Sequence, residues 1–204
     1  SEKHHYPSFK RSLKVLRPDL EISFDEYINY SFEPGFENFL KEILQLNEEE
    51  ISYMYTNWKI DTAEKIGIFY EEIKKFLLEF SDNGGIIGVV THSDRRRIEI
   101  DYKYNLGFIP KDIYSWELGN DKRKPNPFPV FDIKEKYGLS NEEILVIDDL
   151  KPGFIMAKEA GVDFLWAGWA YNKPKFNEYM CNNAKYCVDN LYDFKVFYNN
   201  YILK

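Results

Sequence analysis

The stretch Ile144-Leu145-Val146-Ile147-Asp148-Asp149 constrains this chain more than any other. Four apolar residues run straight into two adjacent carboxylates. A short apolar run reads as a buried strand, and the charged pair marks where it reaches water. In open α/β sheets, ligands bind at the carboxyl ends of the strands. Two crowded carboxylates repel each other unless a cation lies between them, and clustered oxygen donors suit Mg²⁺. Two solvated acids at a strand end would give the same letters. Leu150-Lys151-Pro152-Gly153 then leads into a helical run through Met156, Ala157 and Ala160 to Gly161.

The chain around this stretch changes character once. Phe9, Leu13 and Leu16 repeat at helical spacing, with Pro7 in the first turn and Pro18 as a stop. Ser23 caps a short helix to Tyr30. Phe36, Phe39, Leu40, Ile43 and Leu44 form an apolar stripe. Asn47 before Glu48, Glu49 and Glu50 starts a helix that continues through Met54 and Trp58. After Phe69 to Phe80, a further amphipathic helix ended by Asn83-Gly84-Gly85, strands begin to alternate with helices. Strands are expected at Ile86 to Val90, Asp112 to Trp116, Ile144 to Ile147, Asp163 to Ala167 and Tyr186 to Val188. Helices are expected at Asp94 to Tyr104, at Phe128 to Tyr137 and over the last stretch to Lys204. This alternation predicts a parallel sheet with helices on both faces.

Composition narrows the class. The 204 residues are 44% hydrophobic and 18% aromatic, enough for a packed core. With 27 basic and 34 acidic side chains, the net charge of −7 argues against a duplex DNA-binding domain, which needs a basic face. No apolar run approaches a membrane span, and Ser1 to Phe9 lacks the apolar core of a signal peptide. Cys181 and Cys187 lie six apart with no other cysteine, and read as two reduced thiols rather than a disulfide framework or zinc site.

Two further strand ends carry chemistry. In Val89-Val90-Thr91-His92-Ser93 a hydroxyl follows a buried strand at a helix start, where it can donate to an anion or simply cap the helix. In Lys124-Pro125-Asn126-Pro127 two prolines stiffen a loop, and Lys124 is a point charge able to meet phosphate. A surface lysine would read the same. Arg95-Arg96-Arg97 reads as a solvated helix face. His92 reads as a pocket or a loop histidine.

Together, Thr91, the Lys124-Pro125-Asn126-Pro127 loop and Ile147-Asp148-Asp149 resemble the second, third and fourth motifs of the haloacid dehalogenase-like hydrolases, in order and in register. The helices before Phe69 resemble the inserted cap of the phosphoglycolate phosphatase and β-phosphoglucomutase type. The resemblance implies a Rossmann-like parallel-sheet core, residues 67–204, with an all-helical cap, residues 6–66. Residues 1–5 would be the linker following the family's first strand. That strand's motif, Asp-x-Asp-Gly-Thr, is absent. Ser1-Glu2-Lys3-His4-His5 resembles its usual tail, so the natural chain is expected to extend upstream of Ser1. The missing strand is the family's central one, and its absence should leave two strand edges unpaired.

What the resemblance implies for activity is a Mg²⁺-dependent phosphatase acting on a small phosphorylated metabolite. An upstream aspartate would attack the phosphoryl group in line and form an aspartyl-phosphate. Asp149 and Asp148 would hold the metal; Thr91 and Lys124 would bind the phosphoryl oxygens; His92 and His5 would contact substrate. A dehalogenase is disfavoured, because that branch needs no metal and the Asp148-Asp149 pair suits one. A phosphosugar mutase and a non-catalytic binding protein remain as alternatives. The chain is expected to be cytoplasmic, a monomer or weak dimer, with no nucleic-acid or membrane partner.

Overall fold

The computed structural model describes residues 4–171 and 173–202. The chain divides into two compact units, Ser1–Lys65 and Ile66–Lys204.

Among its described residues the first unit contains helices joined by short turns and no strand. Helix α1 (His5–Leu16) ends before Pro18, and α2 (Phe24–Tyr30) starts from a capping box in which Ser23 and Glu26 satisfy each other's backbone N–H. The short α3 (Phe36–Asn38) is flanked by wider helical turns at Ser31–Gly35 and Phe39–Ile43. Helix α4 (Glu48–Thr62) starts from a second capping box, Asn47 with Glu50. Phe9, Leu13, Tyr27, Ile28, Phe39 and Leu40 form the buried core, with the Tyr30 and Phe39 rings stacked at 4.6 Å. The expected linker 1–5 is corrected at its end, since His5 already opens α1; Ser1, Glu2 and Lys3 lie outside the described residues.

The second unit runs α5 (Glu71–Asp82), β1 (Gly88–Val90), α6 (Arg95–Leu106), β2 (Asp112–Tyr114), α7 (Phe128–Tyr137), β3 (Leu145–Asp148), α8 (Lys151–Ala160), β4 (Asp163–Ala167), α9 (Pro174–Asn183), β5 (Tyr186–Val188) and α10 (Leu191–Tyr201). Every pairing is parallel, as alternation requires. Helices α7 and α8 both end on a left-handed glycine, Gly138 and Gly161, at φ 64° and 72°.

The sheet is in two pieces. β1 pairs with β2, and β3 pairs with β4, which pairs with β5. Among the described residues no ladder joins β1 to β3, so each keeps one unpaired edge there. Val90 of β1 and Val146 of β3 nevertheless pack on one cluster of Val130, Met156 and Ala160, from α7 and α8. Leu145 and Ile147 pack on a second cluster, where Phe76 of α5 meets Leu165, Val188 and Phe194.

Three expectations are corrected. The first strand begins at Gly88 rather than Ile86, because Gly85 is still bound to the end of α5: its N–H donates to the Phe80 carbonyl at 2.8 Å. Arg97 is buried and pairs with Asp101 one turn on, at 3.1 Å, so the arginine run is not wholly a solvated face. Cys181 and Cys187 are joined in a disulfide. Among the described residues no helix is long and apolar enough to cross a membrane.

Candidate active site

The site is built at the carboxyl ends of β1 and β3 and the loop that follows β2. Past β1, the Thr91 N–H donates to the Tyr114 carbonyl at 2.8 Å, extending the β1–β2 register by one residue. The Thr91 hydroxyl accepts from the Ser93 N–H at 3.0 Å and so stabilises the turn into α6. Asp94, not Ser93, caps that helix. The Thr91 hydroxyl keeps its own proton to donate.

His92 ties this turn to the lysine loop. Its Nε2 lies 2.8 Å from the Lys124 carbonyl oxygen. A carbonyl only accepts, so Nε2 carries the proton. Burial first, and then the Lys124 charge, push the imidazole down to about 4, which keeps the ring neutral near pH 7. The ring also meets Trp116 edge-on, and the Arg123 guanidinium stacks on the other ring system of that pair, 3.4 Å from the indole centroid.

The side chain of Lys124 reaches across to Asp148, Nζ to Oδ2 2.5 Å, with both side chains nearly enclosed. The second oxygen of Asp148 accepts from the Leu150 N–H at 2.9 Å, at the start of α8. Gly153 completes the fit. A Cβ there would stand 2.4 Å from the Asp148 carboxyl carbon, so the first turn of α8 closes on Asp148 only because residue 153 has no side chain. Asp149 is the less compensated acid. Burial first, then the neighbouring Asp148 charge, push its carboxyl up to about 7, against the opposing pull of Lys124.

The structure thus joins His92, Lys124 and Asp148 in one connected chain of contacts, with Thr91 one residue from His92 and Asp149 one residue from Asp148. His5 belongs to the helical unit, where its ring meets Trp58 edge-on at 5.6 Å. The donor set suits a hard cation: Asp149 is a carboxyl whose ionised form is held back by burial and by a second acid, and oxygen donors are what Mg²⁺ takes. Asp148 is committed to Lys124 and Leu150, a division of labour between the two acids that their adjacency in sequence does not reveal. Residues that sequence reasoning passed over are Trp116, Arg123 and Gly153. The glycine two residues after Leu150-Lys151 was visible, but the carboxylate it accommodates was not.

The chain belongs to the haloacid dehalogenase-like hydrolases: the model of that family matches residues 1–167. Curated relatives include the phosphoglycolate phosphatase of Vibrio cholerae, 24% identical over 141 residues, which are 65% of this chain and 62% of the relative. That of Mannheimia succiniciproducens is 26% identical over 137 residues, 63% and 60% respectively. The chain therefore spans about three-fifths of the length of these relatives. Among solved structures, CbbY from Rhodobacter sphaeroides in complex with phosphate superposes with a TM-score of 0.71 at 17% identity, covering 93% of this chain and 88% of that one. A haloacid dehalogenase-like family hydrolase from Streptococcus pneumoniae gives 0.70 at 16% identity, covering 97% and 91%. At these identities the likeness is one of fold.

Proposed function

We propose that these residues are the phosphoryl-binding part of a cytoplasmic, Mg²⁺-dependent phosphatase acting on a small phosphorylated metabolite, with its aspartate nucleophile upstream of Ser1. The observation that carries this reading is the Lys124–Asp148 pair beside Asp149, reached through His92 from the Thr91 turn. Thr91 donates its hydroxyl proton to a phosphoryl oxygen, and Lys124 offsets the charge that builds on the phosphoryl group. Asp148 holds the lysine in place. Asp149, with Asp148 beside it, would hold Mg²⁺, which when bound supplies positive charge between nucleophile and phosphate. The upstream aspartate attacks phosphorus, the leaving oxygen departs, and water hydrolyses the resulting aspartyl-phosphate. The relatives named phosphoglycolate phosphatase favour a small organic phosphate as substrate.

The test compares two chains on a nitrophenyl phosphate with Mg²⁺. The 204-residue chain should show essentially no turnover, because none of Thr91, Lys124 and Asp149 attacks phosphorus. A chain extended upstream with a strand ending in Asp-x-Asp-Gly-Thr should turn over, and Asp149→Asn in it should abolish the metal-dependent rate. Robust Mg²⁺-dependent hydrolysis by the short chain would mean the nucleophile has been misassigned. A silent extended chain that still binds phosphate would favour the non-catalytic reading. Turnover requiring a sugar bisphosphate activator would favour the mutase.

A further inference from the structure

A second cluster lies apart from the phosphoryl site. Cys181 is in the last turns of α9, Cys187 is in the middle of β5, and Asp189 follows that strand directly. All three are exposed, and their two sulfurs and one carboxylate oxygen lie within 4.8 Å of one another. We propose that, once the disulfide is reduced, Cys181, Cys187 and Asp189 form a binding site for one thiophilic divalent cation of the Zn²⁺ or Cd²⁺ class.

The geometry fits such an ion. Tetrahedral zinc with bonds of about 2.3 Å to sulfur and about 2.1 Å to oxygen sets its ligands roughly 3.8 Å apart for two sulfurs and roughly 3.6 Å for sulfur and oxygen. Asp189 Oδ1 already stands 3.8 Å from Cys187 Sγ. In the oxidised chain that approach is not a hydrogen bond, since a disulfide sulfur has no proton to give. It leaves a carboxylate oxygen facing sulfur, a contact that a cation would turn into shared coordination. The two Cα atoms are 5.1 Å apart, so rotation about the side-chain bonds is enough to set both thiolates around one ion. Lys185, the lysine nearest to Asp189 in sequence, pairs with Asp163 at 2.6 Å. Exposure leaves the fourth position to water. Two thiolates select soft or borderline metals, whereas the oxygen donors at Asp148 and Asp149 select hard ones, so the two sites should sort cations without competing.

Opening the site is a two-electron step. With a water-soluble phosphine as reductant, the S–S bond breaks, water supplies the two thiol protons, and its oxygen passes to phosphorus. Metal binding then releases the two thiol protons. The test titrates Cd²⁺ into the reduced, chelator-free 204-residue chain and follows the ultraviolet thiolate-to-cadmium charge-transfer band. A band saturating at one ion per chain is expected, displaced by Zn²⁺ and untouched by excess Mg²⁺; the oxidised chain should give none. Cys181→Ser and Cys187→Ser should each remove the saturable band. Asp189→Asn should weaken binding by at least about tenfold, the lower end of what even an outer-sphere partner contributes. Alkylating the thiols of the wild-type chain should also abolish the band, so the outcome does not depend on how a variant folds. A reduced chain with no saturable band would overturn the proposal, as would an Asp189→Asn variant that binds as tightly as wild type.

Discussion

The two pieces of the sheet differ in how they bury the same kind of residue. In the β3–β4–β5 piece, β4 is paired on both sides, and Phe164, Leu165, Trp166 and Ala167 are all buried. In the β1–β2 piece, β2 is buried throughout, yet Val89 and Val90 of β1 are only half-buried and Gly88 is exposed. β3 is likewise half-buried along its length. Apolar strands are therefore most open where they face the gap between the two pieces, and that is also where the site residues emerge. Neighbour number alone does not set this: β2, with one strand partner, is buried throughout, whereas β1 and β3, with one partner each, are not, so burial here follows which strand faces the gap. The comparison also locates the fragile part of the fold next to its chemistry.

The largest effect that could break this comparison comes from matched truncations. Leu165→Ala removes a fully buried side chain and should cost about 2–5 kcal/mol, read from the denaturant midpoint at unchanged slope. Val89→Ala, on the open strand, should cost about 1 kcal/mol or less. Equal costs would mean that β1 is as well enclosed as β4 and that the gap is not real. Native-state hydrogen exchange offers the same check without mutation, with β4 amides slowest and β1 and β3 amides faster.

A smaller effect should follow from the tie between the pieces. Lys124 belongs to the loop after β2 and Asp148 ends β3, so their ion pair links the two. Lys124→Met leaves Asp148 enclosed with only the Leu150 N–H. Breaking a buried pair from one side costs about 3–5 kcal/mol, and the remaining helix N–H puts the expected loss near the lower figure. Adding Asp148→Asn should recover much of it, because the uncompensated charge goes too. If the double variant is no better than Lys124→Met alone, the loss comes from lost packing of the lysine stem instead.

How far the sequence carries the fold depends on whether a signal is local. The Ser23 and Asn47 caps, the glycines ending α7 and α8, and the bounds of β4 and β5 were legible, because each is set within a few residues of chain. Helix α9 was missed: in Pro174–Asn183 the buried residues are Phe176 and Met180, too few among polar neighbours to show a stripe. The burial of Arg97 needed its Asp101 partner to be weighed with it. For the candidate site, the residue types at each strand end were legible. The His92–Lys124 contact, 32 residues apart, and the division of labour between Asp148 and Asp149 were not, since both depend on how strands from the two pieces come together. The disulfide was missed for the same reason: a six-residue spacing says nothing of where α9 leaves Cys181 relative to β5.

The smallest expected effect sharpens the comparison through pH, since each piece contributes one displaced group at the gap. Asp149, after β3, is pushed up to about 7 by burial and by Asp148. Its folded form prefers the proton, so its contribution is complete below the ordinary carboxyl range and is lost as pH rises through about 7. His92, after β1, is pushed down to about 4 by burial and by Lys124. Its folded form rejects the proton, so its contribution is complete above the ordinary imidazole range and is lost as pH falls through about 4. Between pH 4 and 7 the two therefore pull in opposite directions, and the wild-type stability curve should be flatter than either alone. With chelator present to keep cations away from the acids, Asp149→Asn should leave a stability that rises with pH across this window. His92→Gln, which keeps a donor for the Lys124 carbonyl, should leave one that falls. Denaturant midpoints at half-unit pH steps measure both slopes. Two slopes of the same sign would mean that one of these groups is not enclosed as the structure has it, and the contrast between the two sides of the gap would fail.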